Sequence, residues 1–169
     1  IRDASRQLSR PNAVVHDITS RKEAELALAA ERARFRDLFE NSPDAIFVDS
    51  PGGTVLDVNQ AACDLHQLPR EQLVGRHVTE LVPPQARSDV LEVFQRLAAG
   101  EQTLAEGLSL RCDGSSVPVE LRARRVTLPE GRPAVLLHVR DISSRKRAEE
   151  FLAGQKRILE WIATGRPVG

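Results

Sequence analysis

Asp141 stands where a run of strand-forming residues gives way to a charged, helix-forming stretch. A carboxylate at such a junction can accept from the free backbone N–H groups of the helix start, or pair with a nearby arginine. Either contact would let movement of a sheet reach the helix, and simple capping would use the same geometry. Asp141, Ile142 and Ser143 together are the candidate relay. The four histidines, His16, His66, His77 and His138, offer less. His77 and Glu80 share a helix face at i, i+3 spacing. Two such groups read as a surface pair, because zinc usually takes three or four protein ligands. His138 alternates with Leu136 and Arg140, opposite the face of Val135, Leu137 and Val139, and reads as a sheet histidine. Cys63 sits in an Ala-Ala-Cys run that suits a small buried thiol, with no motif marking a nucleophile. The phosphate-loop, Gly-x-Ser-x-Gly and His-Glu-x-x-His patterns are absent from the sequence. No catalytic and no metal residue is assigned.

The whole chain narrows the partners. Its 169 residues suit one domain with appendages, and 41% hydrophobic residues suffice for one core. Lys plus Arg number 24 and Asp plus Glu 24, so the formal charge is zero. That balance disfavours nucleic acid and anionic membrane as partners. Cys63 and Cys112 form no Cys-x-x-Cys pair and no disulfide framework, so a reducing cytoplasm is expected. No apolar run approaches the roughly 20 residues of a membrane span. The chain contains no methionine, and a piece of a longer protein is expected.

An internal echo sets the organisation. Asp17-Ile18-Thr19-Ser20-Arg21-Lys22 returns as Asp141-Ile142-Ser143-Ser144-Arg145-Lys146. Each copy follows a short apolar run, Ala13-Val14-Val15 in the first case, and precedes a charged stretch with Ala and Leu. The echo divides the chain into residues 1–18, the tail of one domain; 19–40, a linker helix; 41–142, a whole domain; and 143–169, an exit helix. Ser20-x-x-Glu23 reads as a capping box for the first linker, which Asn41-Ser42-Pro43 would stop. Ala24, Leu28, Glu31, Phe35 and Leu38 form one stripe of that helix, and Ala148, Phe151, Gln155, Ile158 and Ile162 one of the exit helix. The stripes either pack on their own domain or pair with a second copy as a parallel coiled coil. Leu28, Phe35 and Leu38 are the candidate dimerisation residues.

Between the linkers, Ala45 to Val48 and Thr54 to Val58 read as strands around a Pro51-Gly52-Gly53 turn. Short helices are expected at Gln60 to His66, Arg70 to Leu73 and Val78 to Val82, with a longer one from Ala86 to Ala99. Leu104 to Cys112 and Val117 to Leu128 flank Asp113-Gly114 as a hairpin, and Ala134 to Val139 closes the unit. Strands at both ends with helices between predict an α+β fold, a five-stranded antiparallel sheet with helices on one face.

This order resembles a PAS domain. The residues that carry the resemblance are Phe39-Glu40-Asn41-Ser42-Pro43-Asp44-Ala45-Ile46, Val58-Asn59-Gln60-Ala61-Ala62-Cys63, Glu71-Gln72-Leu73-Val74-Gly75, Asp113-Gly114 and Asp141-Ile142-Ser143, over about Ala33 to Glu150. Residues 1–18 resemble the last hairpin of a preceding PAS domain, and Ile158 to Gly165 the opening helix of a GAF domain. The resemblance implies a cytosolic signalling module of a bacterial histidine kinase or cyclic-di-GMP enzyme. It implies a homodimer that passes conformational change along its flanking helices, with PAS and GAF neighbours in cis. It implies a cavity lined by Leu56, Val58, Val78, Val90, Phe94, Leu110 and Leu137, apolar enough for a plugged core or an apolar ligand. It also suggests a charge contact between Glu71 and Arg111. Val78 stands where light-sensing members carry the flavin-reactive cysteine. Arg87-Ser88-Asp89-Val90-Leu91 stands where oxygen sensors carry the haem histidine. Haem and covalent flavin are therefore not expected, and an unidentified small ligand remains open. A ligand-responsive sensor and a ligand-free dimerisation or interaction module are the two competing functions; an enzyme is disfavoured.

Overall fold

The computed structural model describes residues 12–101 and 103–164. The chain divides between Phe39 and Glu40 into two units.

The first unit is helix α1, Asn12–Glu40. From Arg21 onward Ala, Leu, Glu and Arg dominate it, and no Gly or Pro interrupts it, so helix propensity is favourable over that stretch. Two expectations are corrected here. Ala13-Val14-Val15 is helical, where the last hairpin of a preceding domain was expected. The helix already begins at Asn12, so Ser20 lies inside it and does not cap it. Residues 1–11 of the expected preceding-domain tail lie outside the described residues. Leu28, Phe35 and Leu38 are exposed along α1.

The second unit holds the sheet. Strands β1 (Ala45–Asp49), β2 (Val55–Val58), β3 (Thr103–Leu110), β4 (Ser116–Thr127) and β5 (Pro133–Asp141) lie in the order β2-β1-β5-β4-β3, every neighbour antiparallel. The strand connection from β2 to β3 carries α2 (Gln60–His66), α3 (Arg70–Leu73), 3-10 turns at Val78–Glu80 and Pro84–Ala86, and α4 (Arg87–Ala98). The expected α+β sheet and helices are therefore present. Pro83-Pro84 explains the break before α4, since proline supplies no amide for a continuing helix.

Asn59 fixes the start of α2. Its Oδ1 accepts the N–H groups of Ile46 at 2.8 Å and Ala62 at 3.0 Å, while its Nδ2 donates to Asp44 O at 3.0 Å. One buried amide thus caps α2 and ties it to β1. Arg70 of α3 pairs with Glu40 and Asp57. Between neighbouring strands, Arg140 of β5 grips Asp44, just before β1, through both carboxylate oxygens, at 2.9 and 2.7 Å. That contact holds the Asp44 carboxyl below its usual range.

The last helix, α5 (Ser143–Thr164), follows β5 after a single residue, Ile142. Phe151, Ile158 and Ile162 of its stripe are exposed. Gly165, the end of the GAF-like run, lies outside the described residues. No described helix is long and apolar enough to cross a membrane.

Candidate functional site

The pleat of β1 sends Ala45, Phe47 and Asp49 to one face. Phe47 and Asp49 line a cavity of about 100 Å³ between the sheet and the helical connection. Of the residues expected to line it, Val78, Val90, Phe94 and Leu137 do so.

Leu56, Val58 and Leu110 do not, and each has a physical reason. Between β1 and β2 the register slips: Val48 faces Asp57, yet Asp49 faces Val55. Leu56 is the extra residue of that bulge and is turned outward, 42% exposed. Val58, in regular register opposite Phe47, is packed into the core with Ala62 and Cys63 of α2. Leu110 ends β3, where its N–H donates to Leu81 O at 2.9 Å and its carbonyl faces His66.

Two polar residues that sequence reasoning did not assign stand on the cavity instead. Asp49 is only 1% exposed, and neither carboxylate oxygen has a hydrogen-bond partner. Burial pushes its carboxyl up to about 7. His66 is buried edge-on to Phe47, ring centroids 5.6 Å apart. Its Nδ1 lies 2.7 Å from Leu110 O. A carbonyl only accepts, so Nδ1 carries the hydrogen. Burial pulls the His66 ring below its usual range, which keeps it neutral. The alternation Ala45, Phe47, Asp49 was the sequence signal for a carboxylate facing inward.

Glu106 of β3 borders the cavity through its backbone, and strand alternation turns its carboxylate to the opposite face of the sheet. It also reaches α5, with Oε1 2.7 Å from Arg145 Nη2 and Oε2 2.6 Å from Lys146 Nζ. Those two cations hold its carboxyl below the usual range, Lys146 foremost.

At the junction itself, Asp141 Oδ1 accepts the Ser143 N–H at 2.7 Å. Asp141 Oδ2 lies 3.8 Å from Arg111 Nη2. Arg111 also donates to Leu65 O at 3.3 Å, so it turns toward Asp141 and α2; no contact with Glu71 is observed. Ile142 is buried, and its N–H donates to Pro118 O at 3.0 Å. The triplet thus joins one cap, from Asp141 to Ser143, to the buried Ile142.

His77 and Glu80 form a capping box, not a ligand pair. The His77 ring accepts from Thr79 N–H, and Glu80 Oε1 accepts from His77 N–H at 3.3 Å. The His77 Nε2 lies 3.0 Å from Gly52 O, tying this turn to the β1–β2 hairpin. Gly53 has φ +83°, and a Cβ there would come within 3.0 Å of Val78 Cγ2, so only glycine fits. No group of three or more metal-ligating side chains occurs among the described residues.

Comparison with known proteins agrees with this architecture. The chain is 31% identical to sporulation kinase E of Bacillus subtilis over 140 residues, covering 82% of this chain and 18% of that protein. It is 25% identical to the sensor histidine kinase TmoS of Ectopseudomonas mendocina over 154 residues, covering 88% of this chain and 16% of that protein. It therefore spans less than a quarter of either relative. The crystal structure of the PAS domain of an HTR-like protein from Haloarcula marismortui superposes with a TM-score of 0.64 at 35% identity, over 72% of this chain and 99% of that one. The PAS fold family model matches residues 39–147, from the end of α1 into α5. With its five-stranded sheet, helical connection and kinase relatives, the chain belongs to the PAS fold family.

Proposed function

We propose that this module senses a small ligand in the cavity and relays its presence through α5 to a histidine-kinase output in the bacterial cytoplasm. The observation that carries the reading is strand β3, whose Ala105, Gly107 and Ser109 line the cavity while Glu106, on the opposite face of the sheet, pairs with Arg145 and Lys146 of the exit helix. A second connection runs along β5, where Leu137 and Val139 line the cavity and Asp141 caps α5. Occupancy that shifts either wall changes the contacts at the start of α5. The kinase names of the relatives favour that output over a cyclic-di-GMP enzyme. PAS and GAF neighbours in cis and a parallel homodimer through Leu28, Phe35 and Leu38 belong to the same reading.

Native mass spectrometry of the purified protein tests it. A co-purifying small molecule, whose removal changes amide exchange from Ser143 onward, is the expected result. A bare mass with unchanged exchange in α5 overturns it. That outcome favours the second reading, a ligand-free dimerisation module, which the exposed Phe35 and Leu38 of α1 and Phe151 and Ile162 of α5 support.

A further inference from the structure

Asp49 is a carboxylate that the fold leaves unanswered. A buried acid with no donor is strongly disfavoured unless something else supplies one. The protein does not: both oxygens lack a partner. The other polar groups on the cavity do not offer a compensating cation either. His66 commits its only ring hydrogen to Leu110 O, which leaves Nε2 as a bare acceptor. Asp89 is a further acid on the cavity, Glu106 turns its carboxylate to the other face of the sheet, and no lysine or arginine lines the cavity among the described residues. The rest of the wall is largely apolar, with Phe47, Leu81, Val90 and Phe94 contributing.

The protein supplies no donor to the ionised carboxylate, so a ligand that brings both donors and a positive charge would hold Asp49 in that form. Two carboxylate oxygens and one imidazole nitrogen match the three N–H groups of a primary ammonium. An alcohol brings a single donor, and a carboxylate brings none and meets like charge. The cavity of about 100 Å³ is smaller than the ~150 Å³ that accommodates benzene, which leaves room for a hydrocarbon body of about three or four carbons. Resting on the reading that the cavity is sensory, we propose that it takes a short primary alkylammonium ion. Its nitrogen sits on the Asp49 carboxylate with His66 Nε2 as a third acceptor, and its carbon chain lies against Phe47 and Phe94.

Isothermal titration of the protein with n-propylammonium chloride tests this, against 1-propanol and sodium propionate as neutral and anionic probes of similar size. Saturable one-to-one binding of propylammonium is expected, with both other probes weaker by at least about tenfold. Asp49→Asn, which keeps the size and removes the charge, is expected to weaken propylammonium by at least about tenfold while the circular dichroism spectrum is retained. Equal binding of 1-propanol, or unchanged binding to Asp49→Asn, overturns the ammonium assignment and leaves the sensory cavity standing. No binding by any probe also overturns it; a bare native mass would then remove the sensory reading as well. Should Asp49→Asn fail to fold, the three-probe comparison on the unaltered protein decides alone.

Discussion

The Asp141 carboxylate accepts the Ser143 amide at 2.7 Å, so the last residue of β5 caps the helix that leaves the domain. The cap joins two elements but contributes little to the core, which lies on the other side of Ile142. Losing a cap costs about 0.5–2 kcal/mol, too little to unfold most domains. Asp141→Ala is expected to stay folded while amide exchange quickens from Ser143 onward, with β4 and β5 still protected. Uniform loss of protection through the strands would make Asp141 a core residue. No change would reduce it to a solvated carboxylate.

Asn59 is expected to behave in the opposite way. It is fully buried and makes three hydrogen bonds to β1 and α2. Asn59→Ala removes a cap and strands the Ile46 amide without an acceptor. The combined loss is about 2–4 kcal/mol, read as a lower urea midpoint with an unchanged slope. Asn59→Asp keeps the acceptor but loses the donation to Asp44 O and should fall between the two. A midpoint for Asn59→Ala within error of the parent would remove Asn59 from its place as the clip.

These residues differ in how legible they were from sequence. Strand alternation, the Asp113-Gly114 hairpin and Pro83-Pro84 placed the sheet and α4 within a residue or two, because each signal is local. Asn59 was read only as part of a family motif, since the Ile46 and Asp44 groups it serves come from another strand. Leu56 was misplaced because a bulge breaks period-two alternation and nothing in Thr54-Val55-Leu56-Asp57 marks it. Asp49 was passed over although Ala45, Phe47 and Asp49 alternate inward, since a charged residue usually ends a strand in solvent. Ala13-Val14-Val15 was read as part of a hairpin by analogy with the second copy of the echo, whose apolar run lies in β5.

Phe35 and Leu38 are large apolar side chains left exposed on α1, 71% and 65%. If a second copy covers them, the protein sediments as a dimer at tens of micromolar, and Phe35→Glu shifts it to a monomer. Truncating a buried side chain of this size costs about 2–5 kcal/mol, enough to lower association by more than about tenfold. A monomeric parent, or a variant that sediments unchanged, ends the helix-pairing idea. The core strands should keep their exchange protection in either case.

Asp49 gives the stability of this domain an unusual pH dependence. Its carboxyl titrates near 7 in the fold and near 3.9 in the unfolded chain. Between those values the folded state holds a proton that the unfolded state has lost. Stability from this group is therefore full below about pH 4 and is lost as the pH rises through 7, by roughly 4 kcal/mol in total. The titratable side chains sharing the cavity are His66 from α2 and Asp89 from α4, while the Glu106 carboxylate of β3 lies on the other face of the sheet. His66 acts in the reverse sense. Its folded ring resists protonation, so its contribution falls as the pH drops through the usual imidazole range. The lowered carboxyls of Asp44 and Glu106 also lose stability only in acid. The parent profile mixes all of these, and the difference between parent and Asp49→Asn isolates one. Urea unfolding near pH 5 and near pH 8 should show the variant gaining on the parent by about 2–3 kcal/mol at the higher pH. A difference that does not change with pH would mean that Asp49 is ionised throughout and has a donor after all. The ammonium assignment would then lose the vacancy on which it rests.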